Sequence, residues 1–136
     1  MLSISFYSIK ETLDKSSQVM ELNEPESIDI ADDLYQELAK SEFSTIGQSE
    51  SIKVKIEDKE TELPLVKLEE SVRKKLIDFF INTIVQESEK FKNIGDSPSK
   101  QEIQNLAIPV IQRINVLNEI RALLENQSYQ YLDRTE

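Results

Sequence analysis

The chain contains no cysteine and no histidine. Without thiols there is no disulfide framework and no thiolate chemistry. With imidazole missing too, tetrahedral structural zinc sites and the usual general base of a hydrolytic triad are excluded. Glycine and proline are scarce, at 2 and 4 of 136 residues, which argues against an all-β fold of many tight turns and favours long helices. The glycines, Gly47 and Gly95, stand far apart, so neither a phosphate-cradling loop nor a Gly-x-Ser-x-Gly elbow can form. No apolar run approaches the roughly 20 residues of a membrane span. The opening MLSISFYSIKETLDK lacks the basic leader, apolar run and cleavage site of a signal peptide. These absences set the expectation of a soluble, cytoplasmic, non-enzymatic protein without metal or cofactor.

Acid is what the sequence has in excess. The net charge is −10, and it is uneven: residues 1–65 carry 15 acidic and 6 basic side chains, residues 66–136 carry 11 and 10. From Glu21 to Glu37 there are seven acidic residues and no basic one. Such an excess serves solubility or a basic partner, and it disfavours nucleic acid as a ligand of the front half.

A chain of 136 residues suits a single small domain. Leu2, Ile4 and Phe6 alternate with Ser3, Ser5 and Tyr7, the period of a half-buried strand. Ser8 and Glu11 form a capping box for a weak helix carrying Ile9, Leu13 and Met20. Ile30, Leu34 and Leu38 step by fours, which predicts a helix over residues 28–40 capped by Ser27, with Asp29, Asp32 and Asp33 in its first turns. Residues 41–51 read as a loop. Ile52, Val54 and Ile56 alternate with Lys53, Lys55 and Glu57, a hairpin over 52–63 that turns at Asp58-Lys59. Pro64 then opens the longest apolar stripe, Leu65, Leu68, Val72, Leu76, Phe79, Phe80, Ile84 and Phe91, predicting a helix over about 65–93 that stops near Gly95. Arg73, Lys74 and Lys75 form its one basic cluster, which reads as a solvated face paired with Glu70 and Asp78.

Ser99 and Glu102 form a second capping box, opening a helix over 99–125 with a wide apolar face. Pro109 either kinks that helix or separates two. A face this wide suits a homodimer, with Ile103, Val110, Ile114, Leu117 and Leu124 at the oligomer interface. The polar tail, residues 127–136, is expected to fray. The fold class implied is α+β and mainly helical: a small β-hairpin leading into an antiparallel pair of long helices, with one shorter acidic helix.

The Leu63-Pro64 hairpin end, the amphipathic helix after it, and Ser99-Lys100-Gln101-Glu102 with Leu106 resemble the small excisionase-like bacterial antitoxins over about residues 28–106. That resemblance implies a helix-turn-helix beginning near Ser99. The chain departs from the pattern at Ile108-Pro109-Val110-Ile111, where a polar recognition start belongs, and the helix that follows has only Arg113 and Arg121 as cations.

The expected function is an acidic protein-binding regulator of the antitoxin, immunity-protein or phage-encoded inhibitor kind, neutralising a basic partner. Its partner-binding face would hold Asp29, Asp32, Asp33 and Glu37. The alternatives are a DNA-binding transcriptional regulator using residues 96–125 and a structural self-assembling subunit.

Overall fold

Alternation governs more of this chain than its four-residue steps suggest. The computed structural model describes residues 2–10, 19–93 and 99–134. Its elements are β1 (Leu2–Tyr7), β2 (Met20–Leu22), β3 (Glu26–Ile30), α1 (Asp32–Ala39), β4 (Ser49–Ile56), β5 (Lys59–Lys67), α2 (Glu70–Ser88), α3 (Ile108–Glu125) and β6 (Tyr131–Asp133). The strands form one curled mixed sheet in the order β2-β4-β5-β6-β1-β3, in which β2 and β4 are parallel and every other pair antiparallel. With 50% helix and 29% strand, the molecule is a six-stranded half-barrel with helices, not the mainly helical fold with a small hairpin that the sequence predicts.

Four misread segments account for the difference. Ile28 and Ile30 step by two and lie opposite Ile4 and Leu2, so residues 26–30 pair with β1 as a strand and the helix starts only at Asp32. The hairpin is longer than expected and turns at Glu57-Asp58, both with positive φ (50° and 63°), the backbone a two-residue turn needs between twisted strands. Strand β5 runs on through Pro64 to Lys67, so Leu65 belongs to the sheet and α2 begins at Glu70. Pro64 is tolerated because β6 joins β5 only from Val66 onward, leaving the proline a single neighbouring strand. The tail does not fray: Leu132 is fully buried between β5 and β1, in the middle of the sheet. The short helix expected around Leu13 lies largely outside the described residues, although Met20 sits in a strand. The stop at Gly95 also lies outside them.

Because side chains alternate across a sheet, the two faces build two cores. Ile4, Phe6, Ile28, Ile30, Val66 and Leu132 pack against Leu34, Leu38, Leu76, Phe80, Leu117, Ile120 and Leu124 from the helices. On the other face Tyr7, Leu22, Val54 and Leu65 form a smaller core with Met20, Ile52, Ile56, Leu63 and Tyr131. A bridge between Ile9 and Leu22 ties the edge strand β2 back to the chain leaving β1, which curls the sheet around this second core.

Two arginines hold the layers together. Arg73 is 6% exposed and donates to the carbonyls of Leu124, Asn126, Leu68 and Tyr129. It thereby caps the C-terminus of α3 and fixes the turn into β6. The expected solvated face is therefore wrong at Arg73, although Lys74 and Lys75 are exposed. Arg134 donates to the carbonyls of Phe43, Ile46 and Gly47 and lies over the Phe43 ring, pinning the segment between α1 and β4.

Residues 100–125 are one unbroken helical run: a turn at Lys100–Glu102, a π turn at Ile103–Ala107, then α3. The Ser99 hydroxyl accepts from the Glu102 N–H at 3.1 Å, as the capping box requires. Pro109 has no N–H to give and its ring crowds the carbonyl four residues earlier; the widened π turn just before it relieves both problems. The proline does not separate two helices, and the helix-turn-helix implied by the resemblance is absent from 100–125.

Candidate functional site

Helix α1 presents Asp33 and Glu37 one turn apart, on the side that faces the C-terminal half of α2 and the N-terminal half of α3. Arg113 of α3 reaches this point. Its Nη1 donates to Asp33 Oδ2 at 3.2 Å, its Nη2 donates to Glu37 Oε2, and its Nε donates to Glu87 Oε1 of α2 at 3.1 Å. Lys90 donates to the same Glu87 Oε1 at 2.9 Å. Three helices are thus tied by one guanidinium. Burial pulls the Arg113 pKa down, but the charges and hydrogen bonds of Glu87 and Glu37 outweigh it and hold the group above the ordinary arginine value.

The cluster is unbalanced in two respects. Among the described residues three carboxylates face two cations. Glu87 is 6% exposed, and among the described residues its second oxygen, Oε2, has no hydrogen-bond partner. A desolvated carboxylate oxygen without a donor is costly. Beside it a cleft of about 270 Å³ opens between α1 and α2, walled by Leu34, Leu38 and Phe79 and edged by Glu37, Ser41, Thr83, Gln86, Glu87 and Lys90. On the α3 side, Arg113 also borders a smaller hollow of about 160 Å³ with Asp33, Leu34, Pro109 and Gln112.

Of the four acidic residues singled out in the sequence, the structure brings Asp33 and Glu37 together and leaves the others apart. Asp32 is exposed on α1, and Asp29 projects from the edge strand β3 on the face away from Ile28 and Ile30. Sequence reasoning missed Glu87 and Arg113. The signal for Glu87 was available: it continues the three- and four-residue stripe of Phe80 and Ile84, so a charge stands at a core position.

Of the expected oligomer interface, Val110, Leu117 and Leu124 are buried in the protomer's own core. Ile114 is half-buried and Ile103 is exposed. Among the described residues no cluster of acids is arranged to hold a metal ion, and no helix is long and apolar enough to cross a membrane. The chain matches no protein-family model, no curated protein and no solved structure, so its function has to be argued from this geometry.

Proposed function

We propose that the protein acts by binding rather than catalysis, as a regulator that engages a basic protein partner through the acidic surface of α1 and the cleft beside it. The observation that carries the reading is the unbalanced cluster, in which Asp33, Glu37 and Glu87 outnumber Arg113 and Lys90 at the edge of an open cleft. The acidic excess of residues 1–65 supports it, because a long-range negative field speeds encounter with a positive surface. An antitoxin, an immunity protein or an inhibitor works this way.

The test is capture from native cells on two baits, the wild-type chain and an Asp32→Asn/Glu37→Gln variant. Arg113 keeps Asp33 and Glu87 in that variant, so the helices stay tied. The wild type should retain one stoichiometric basic protein that elutes with salt, and the variant should bind it about tenfold more weakly. Equal retention by both baits would remove α1 from the interface.

A self-assembling subunit is the second reading, favoured by one observation. Ile103, Leu106, Ile108 and Ile111, clustered around the π turn, are each 40–46% exposed. Sedimentation over a range of concentrations decides: a dimer that an Ile108→Glu/Ile111→Glu pair abolishes supports it, and a monomer throughout rejects it.

A further inference from the structure

Independently of the partner-binding reading above, we infer that a cavity between α1 and the end of β6 binds a small apolar carboxylate, of about the size of benzoate. The cavity measures about 200 Å³ and lies against the helix-covered face of the sheet. Ile4, Leu38 and Phe43, each at most 3% exposed, form its apolar walls. Ala39 and Ser49, which also line it, are exposed, so the cavity opens to solvent. An engineered cavity of about 150 Å³ with such walls takes up benzene. A six-membered ring therefore fits here with room for one small substituent.

The charge in this apolar setting belongs to Arg134, which completes the lining. Its Cζ stands 5.7 Å from the centre of the Phe43 ring, itself a wall of the cavity. Nη1 donates to the Phe43 and Ile46 carbonyls and Nη2 to that of Gly47, at 2.6, 2.5 and 2.9 Å. Those bonds use three of the five guanidinium hydrogens. Among the described residues the Nε–H and one Nη2–H have no acceptor, and Nε is open to solvent rather than sealed as Glu87 Oε2 is. Nε and Nη2 share one edge of the guanidinium, the fork that grips both oxygens of a carboxylate. Burial lowers the Arg134 pKa, and no carboxylate among the described residues offsets it, whereas Arg113 meets Glu87 and Glu37. A cation drawn partly out of water without a counter-charge is stabilised by an incoming anion. The Tyr35 hydroxyl donates to the Arg134 carbonyl at 3.0 Å, so the backbone carrying the fork is held before any ligand arrives. A phosphate dianion would bring more charge than one guanidinium meets and would gain nothing from apolar walls.

The experiment is a nitrogen–proton NMR titration of the full chain with benzoate, benzyl alcohol, acetate and N-acetyl-phenylalanine. Benzoate should shift the backbone amides of Ala39, Phe43, Ser44 and Ser49 saturably. Benzyl alcohol, which lacks the charge, and acetate, which lacks the ring, should each bind about tenfold more weakly or worse. N-acetyl-phenylalanine stands for the C-terminus of a partner; it outgrows the cavity and should also bind more weakly than benzoate. Arg134→Gln should reduce benzoate affinity to that of the alcohol, and Ala39→Leu, which fills an exposed lining position, should abolish binding. Should Arg134→Gln fail to fold, because it also pins the segment between α1 and β4, the alcohol comparison and Ala39→Leu decide in its place. No saturable benzoate shift, or binding that Ala39→Leu leaves intact, would overturn the inference. Equal affinity for the alcohol would remove the carboxylate, and equal affinity for acetate would remove the apolar cavity. Tighter binding of N-acetyl-phenylalanine would replace the free acid by a chain end. Each of these results overturns it.

Discussion

Arg73 shows how far a single residue's role can lie from its sequence context. It reads as the first of three solvated cations, yet it is buried and spends its donors on carbonyls at the end of α3 and in the turn to β6. Arg73→Met would take a charged donor from those carbonyls, of which Asn126 keeps the Tyr129 N–H, and should destabilise the protein by about 2–3 kcal/mol in urea denaturation. An unchanged midpoint would show that the turn holds itself. Tyr7 gives a second residue-scale test. Burial, and then the charge of Asp133, raises its phenol pKa above the ordinary 10.0. A raised folded pKa means that its stabilising effect is complete below the unfolded value and lost as pH rises through the folded one. Unfolding midpoints should therefore fall above about pH 10, and Tyr7→Phe should flatten that fall. An identical alkaline profile in the variant would exclude Tyr7 as its source.

At the scale of elements, long period-driven segments were legible in the sequence and short paired ones were not. The capping box at Ser99, the strand at Leu2–Tyr7 and the bodies of α2 and α3 follow from local signals that tertiary structure does not override. Strand β3 was hidden because Ile30 fits both a two-residue step back to Ile28 and a four-residue step on to Leu34; only pairing with β1 decides between them. Strand β6 was hidden because its one fully buried residue, Leu132, sits in a polar tail with no pattern of its own. Half of the candidate site was visible as Asp33 and Glu37. The other half required knowing that α2 and α3 bring Glu87 and Arg113 to the same point, which no spacing encodes. Deleting residues 127–136 should remove the strand that joins β5 to β1 and split the sheet. The truncated chain should show no cooperative thermal transition by circular dichroism. A sharp transition near the wild-type midpoint would mean that the two halves of the sheet stand without β6.

At the scale of the whole molecule, the curled sheet and its helices leave two different surfaces exposed. One is acidic and lies along α1 and the cleft; the other is the apolar stretch around the π turn. Recognition of a basic protein is the role we propose for the first. Zero-length carbodiimide cross-linking in native extract, followed by peptide mass spectrometry, tests this most directly, because the reagent joins a carboxylate only to an amine already in contact with it. Links are expected from Asp32 or Glu37 to lysines of one foreign protein. Links confined to other carboxylates, such as Glu57 and Asp58 at the hairpin tip, would contradict it.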